Sequence, residues 1–219
     1  MSKYIGWLIV LVISFLVIAV AFTGVGLYFG IYNKIIGTNQ GVSKAVGDLD
    51  SEYQRRYALI DNLVAITKEN KNFETMLVNI EKEIYIKTAE AKASATKMDV
   101  SLPETVKKRI EKENSLGSII TNALDKLMVM AQHYPQISDP KPIERTKTFE
   151  ALDKLRRELK ELEESILFSR KSLNEYVRVY NNSILMFPSN IVASNMGMKQ
   201  IAYFDVITEG AKEDVKIKF

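Results

Sequence analysis

The side chains that most often carry chemistry are sparse in this sequence and poorly spaced for it. His133 is the single histidine, cysteine is absent, and no acidic residue stands three positions before His133. That inventory excludes a Cys/His zinc set, an HExxH helix and the Glu-x-x-His pairs of a di-iron bundle. No phosphate-cradling glycine loop, GxSxG elbow or EF-hand loop occurs either. Paired carboxylates are present at Glu163–Glu164 and at Glu81 and Glu83. On charged helices such pairs are expected to face solvent, where nothing moves their pKa toward acid–base work. The expectation is no catalytic residue, no cofactor-binding residue, no metal ligand, no cofactor and no enzyme.

Four polar residues stand out instead: Arg55, Arg56, Asp61 and Asn62. Leu49, Arg56 and Leu63 are spaced by seven, so Arg56 lies in line with two apolar residues on one helix. A charge placed there either snorkels to the edge of the stripe or pairs inside the fold with a carboxylate from another helix. Arg55, one position away, faces solvent. The other reading of the four is a recognition surface.

The elements that hold these residues begin with an anchor. Between Lys3 and Lys34 there is no charged residue, and about 20 apolar residues suffice to cross a hydrocarbon core. Residues 4–33 therefore read as a transmembrane helix in contact with the lipid bilayer, with Trp7, Tyr28 and Tyr32 near its ends, where aromatic rings favour headgroups. Gly24, Gly26 and Gly30 do not form a clean dimerisation face. A cleaved signal peptide ending at Ala19-Val20-Ala21 is the competing reading. The apolar run continues through Phe22, Val25, Leu27, Phe29 and Ile31, which favours an uncleaved anchor. Lys34 and Lys44, set against Lys3, lean toward a cytoplasmic bundle on a single-pass cell-membrane protein.

The remainder reads as helices. Val42, Val46, Leu49, Tyr53, Tyr57, Ile60 and Val64 make one apolar face. A polar cluster at 68–72 ends it. A second stripe follows through Phe73, Leu77, Ile80, Ile84, Ala91 and Ala95, with Asn72 as a candidate cap. Ser101-Leu102-Pro103-Glu104 reads as a capping box opening a third helix, striped by Val106, Ile110, Ile120, Leu124, Leu127 and Ala131. That helix ends at Tyr134-Pro135, before a proline-rich loop. In the fourth, Leu152, Leu159, Ile166, Leu173, Tyr180 and Phe187 recur every seven residues, with Leu155, Leu162 and Tyr176 between them. Such a heptad seam packs on other long helices. Pro188 stops it, and a short turn closed by Gly197 follows. Beyond Lys199 the pattern turns extended, as Tyr203–Val206 and Val215–Phe219, and reads as a loosely docked tail.

The fold class is therefore all-α, a transmembrane helix at 1–33, an antiparallel four-helix bundle at 34–199 and an extended tail at 200–219. The formal net charge is only +3. The basic clusters Lys107-Lys108-Arg109 and Arg156-Arg157 are interleaved with Glu104, Glu111, Glu113, Glu158 and Glu161, the pattern of solvated faces. No uncompensated basic stripe is left to bind nucleic acid.

Two separated motifs carry a family resemblance. Tyr32-Asn33, Val42 and Ala45, then Leu49 to Val64, resemble the first helix of LemA proteins. Ala131 to Pro135, Tyr180-Asn181, Phe187-Pro188-Ser189-Asn190-Ile191-Val192-Ala193 and Tyr203-Phe204 are similar to that family's later motifs. Asp61 stands where the family has proline, Ala58 where it has an acid, Val46 in place of an aromatic, and Leu173-Asn174 where Tyr-Asn is common. The resemblance implies a bacterial membrane protein with an N-terminal anchor and a four-helix bundle, and no settled molecular activity. Relatives are associated with membrane organisation, including magnetosome membranes, and with membrane proteases and envelope-stress genes. The expected function is a non-enzymatic scaffold or adaptor that self-associates beside the membrane. The alternative is a regulator or substrate-adaptor of a membrane protease.

Overall fold

A computed structural model describes residues 2–68, 74–133 and 142–204. Its elements are α1 (Ser2–Lys68), α2 (Glu74–Thr96), α3 (Pro103–His133), α4 (Pro142–Leu185) and α5 (Ser189–Asn195). The fold is all-α, with no strand among the described residues.

α1 runs for 67 residues without a break, about 100 Å at the helical rise. Its first part is apolar and uncovered, with Phe15, Phe22 and Leu27 all exposed, and is long and apolar enough to cross a membrane. Its second part carries a buried stripe of Ile35, Val42, Ala45, Leu49, Tyr53, Tyr57, Ile60 and Val64. Apolar segment and bundle helix are thus one rod, and the change at Lys34 is of surface, not of backbone.

α4 lies antiparallel along α1, shown by Thr38 bonded to Ser183 at one level and Arg56 to Glu163 further along. α2 and α3 form an antiparallel hairpin on the other side, tied by Lys112 to Glu90. Each helix of the resulting square touches two neighbours, while α1 and α3 face each other diagonally. The predicted stripe of α3 is buried at Val106, Ile110, Ile120, Leu124 and Leu127. That of α4 is buried at Leu152, Leu155, Leu159, Leu162, Ile166, Leu173 and Tyr180. In α2, Ile84 and Ala91 are buried. The Asn72 cap, the loop after His133 and the segment 215–219 lie outside the described residues.

Four local expectations are corrected. Ser101 does not cap α3: its hydroxyl and N–H both donate to Asp99 Oδ1 at 2.7 and 2.8 Å. The helix opens one residue later, with Pro103 first, where its missing N–H leaves no bond unmade. Phe187 does not continue the α4 seam, because the helix ends at Leu185 and the ring is 80% exposed. The turn after Pro188 is a short helix, α5, which buries Val192 and Ala193 before Gly197 takes φ +66°. Of the segment after Lys199, the described residues 200–204 are docked rather than loose, with Ile201 and Phe204 buried, while residues 205–219 lie outside the described residues.

Candidate functional site

The middle of the bundle is ionic. Arg56 of α1, Arg109 of α3 and Arg170 of α4 are all buried, and Glu113 of α3 is fully so. Helical spacing explains the placement. On α3, Val106, Arg109, Ile110, Glu113 and Ile120 fall on one stripe, and on α4 Arg170 sits between Ile166 and Leu173 at offsets of four and three.

Arg56 is the hub. One of its terminal nitrogens donates to the Glu113 carbonyl at 2.8 Å and to Glu113 Oε2 at 3.3 Å. The other, a single nitrogen, donates to both Glu163 oxygens at 2.7 Å, a short charge-assisted contact. Tyr57 donates to Glu113 Oε1 at 2.6 Å. Arg109 pairs with Asp50, and Arg170 Nε donates to the Tyr53 hydroxyl at 3.0 Å. The Tyr53 ring is surrounded by the guanidinium carbons of Arg109, Arg56 and Arg170 at 5.1, 5.6 and 5.7 Å, within cation–π range. Three arginines thus meet the three carboxylates Asp50, Glu113 and Glu163, so charge is balanced within the cluster. Gly117 makes room for it: a Cβ there would stand 3.2 Å from Glu163 Oε1 and 3.4 Å from Arg56 Nη2.

Burial pushes the Glu113 carboxyl above its usual range, opposed by the Tyr57 hydroxyl and by Arg56, Arg109 and Arg170. Burial likewise raises Tyr53, and burial with the bond to Glu113 raises Tyr57. Both phenols stay protonated at neutral pH, as hydrogen-bonding groups rather than nucleophiles. The cluster fixes the register of three helices.

A second polar device lies nearer the anchor. Asn181 donates to the Ile201 carbonyl and accepts from the Ile201 N–H, both at 2.9 Å. Asn174 does the same for Phe204, both at 2.7 Å. Seven helical residues rise about 10 Å and three extended residues span about the same, so two asparagines one heptad apart match Ile201 and Phe204. The Ala202 N–H adds a bond to the Val100 carbonyl at 3.0 Å. Residues 201–204 are clamped between α4 and the α2–α3 loop.

Of the four polar residues singled out from sequence, only Arg56 enters the cluster. Arg55 is exposed and pairs with Glu52 at 2.8 Å, and Asp61 and Asn62 are exposed. Glu163 corrects the expectation of a solvated carboxylate pair, while Glu164 and Glu83 are exposed and Glu81 is half-buried. Arg109 and Glu113, expected on a solvated face, are buried. Their offsets from Val106 and Ile110 carried the signal. Among the described residues no group of three or more His, Asp or Glu could hold a metal ion.

The LemA family model matches residues 45–219, which takes in the ionic cluster and the asparagine clamp. The chain belongs to the LemA family. No curated protein matches the chain. The matched residues begin inside α1, so the LemA match covers the bundle and leaves the apolar half of α1 outside it.

Proposed function

We propose that this LemA-family chain is a non-enzymatic scaffold, anchored in a bacterial cell membrane by residues 4–33 and presenting its bundle on the cytoplasmic side. The observation that carries the reading is the continuity of α1, one helix from Ser2 to Lys68. An anchor joined to a bundle through a flexible linker leaves the bundle free to tumble. A helix shared by both holds the bundle at a set height and tilt, which suits a platform on which other membrane components assemble. The polar cluster supports the same reading, because its charges are spent on one another across α1, α3 and α4.

Self-association is part of the proposal, though not through the α4 seam. That seam is buried inside the bundle, so it has no free face for a second copy. The surfaces left are the apolar half of α1 and the outer face around Leu167 and Phe168, both exposed. Crosslinking in native membranes, with the adducts identified by mass spectrometry, tests the function. Adducts between copies of the chain are expected. Recovery of a membrane protease as the main adduct would favour the adaptor reading, and recovery of monomer alone would remove the scaffold.

A further inference from the structure

The α4–α5 elbow presents a cluster of apolar side chains that the bundle does not use. Leu185, Met186, Phe187 and Ile191 are exposed by 53, 60, 80 and 56%. Isolated exposed apolar residues are ordinary, but four within seven positions form a patch. Val192 and Ala193 beside them are buried, so the short helix divides cleanly into a covered face and an uncovered one.

The height of this patch on α1 follows from the antiparallel register. Ser183 bonds Thr38 at 3.0 Å, and Tyr176 lies so close to Gly41 that a Cβ there would stand 2.9 Å from its Cδ1. Continuing α4 past Ser183 moves back along α1, so Phe187 reaches the level of Tyr32 to Lys34. From Thr38 to Lys34 the rise is about 6 Å. The elbow therefore stands where the uncharged stretch of α1 ends at Lys34, near the level of Tyr32.

The two chain stretches that meet at this end carry charge of one sign. No Asp or Glu occurs from Met1 to Gly47 or from Tyr176 to Phe204. Lys34, Lys44 and Lys199 within these stretches are exposed, and Asp99 on the α2–α3 loop lies within electrostatic reach of Lys199. An exposed apolar tip with Lys34 at its level suits an interfacial lipid contact, with apolar side chains in the headgroup–acyl boundary and a cation among anionic headgroups.

We infer that the elbow at Leu185–Ile191 is a second membrane contact, seated in the headgroup region of the same bilayer that α1 crosses. The inference rests on the reading of α1 as the anchor. A helix and an elbow in contact with one bilayer fix the rotation of the bundle about α1, which a single span leaves free.

Tryptophan quenching in the full chain separates the two claims. The protein is reconstituted in phosphatidylcholine–phosphatidylglycerol vesicles whose acyl chains carry bromine near the glycerol. The native Trp7 reports the anchor. In a Trp7→Phe background, Phe187→Trp reports the elbow, and Phe168→Trp reports an exposed site far up α4. The expected result is quenching and a blue shift at positions 7 and 187, and neither at 168. Quenching at 7 without quenching at 187 would overturn the elbow contact and leave the anchor standing. Quenching at neither would overturn both, and equal quenching at 168 and 187 would show that the bundle lies flat on the lipid rather than standing on its elbow.

Discussion

Arg56 and Glu113 meet across the bundle from helices that lie diagonal to each other, with side chains 1% and 0% exposed and 3.3 Å between Nη1 and Oε2. Glu163 closes the other side of the guanidinium at 2.7 Å. Arg56→Ala leaves Glu113 buried without its main partner, which costs about 3–5 kcal/mol. Arg55→Ala removes only an exposed helical pair and costs less than about 0.5 kcal/mol. Urea unfolding of the two variants checks this, and equal small effects would contradict the burial of Arg56. In a double-mutant cycle, combining Arg56→Met with Glu113→Gln should cost less than the sum of the two.

The pH dependence of Glu113 has a definite sign. Its folded pKa is raised by burial, so the folded state holds its proton more tightly than the unfolded state. Its contribution is fully present below the unfolded carboxylate value and is lost as pH rises through the folded one. Wild type should therefore lose stability relative to Glu113→Gln as pH rises from about 4.5. Denaturation series in matched buffers measure that difference. A difference moving in favour of wild type with rising pH would mean that the arginines outweigh burial.

Two glycines of the bundle should respond oppositely to alanine. At Gly117 the new methyl crowds Glu163 and Arg56. Overpacking of about 1–3 kcal/mol then outweighs the roughly 1 kcal/mol gained in helix propensity. At Gly47 nothing lies within 4 Å, so Gly47→Ala should stabilise by about 0.5–1 kcal/mol. Thermal melts of both variants give the two signs, and a gain at Gly117 would show that the cluster yields easily.

The bundle stripes and the place of Arg56 on one of them were legible in the sequence because both are periodic within one segment, whereas the continuity of α1 and the short helix α5 were not. Arg109 and Glu113 lay on the α3 stripe, but their charge pointed to solvent, and Arg170 carried no signal beyond its place between Ile166 and Leu173. Only the pairing of α1 with α3 and α4, set by tertiary packing, turns them inward. The clamp was illegible for a related reason. Asn174 and Asn181 acquire meaning only when Ile201 and Phe204 return alongside α4, a contact between distant parts of the chain. The capping box misled because Asp99, two residues upstream, competes for the Ser101 hydroxyl.

The clamp gives its own prediction. Asn181→Ala leaves the buried N–H and C=O of Ile201 without their partner, at about 1–3 kcal/mol. The cost falls on the chain end rather than on the helices. Limited proteolysis should cut near Ile201 faster in Asn181→Ala, and faster still with Asn174→Ala added, while the helical circular dichroism persists. Unchanged cleavage would show that burial of Ile201 and Phe204 holds the segment without the asparagines.

Removing residues 1–31 should release the bundle from membranes as a soluble helical domain, since the buried stripe of α1 begins at Ile35. Carbonate extraction of the full chain and sedimentation of the truncated one check this. Extraction of the full chain by carbonate would contradict the anchor.

In the proposed function one unbroken helix carries the bundle on the membrane. Gly24, Gly26, Gly30, Gly37 and Gly41 lie along the stretch that must stay helical, and each costs about 1 kcal/mol relative to alanine. On that reading lipid surrounds the first three, and α4 packs against Gly41, and these hold the helix together there. Amide hydrogen exchange of the full chain in lipid nanodiscs, resolved over residues 24–46, tests this most directly. Continuous slow exchange from the span into the bundle is the predicted result. A run of fast-exchanging amides between Asn33 and Gly41, with protection on either side, would reveal a hinge and contradict the account.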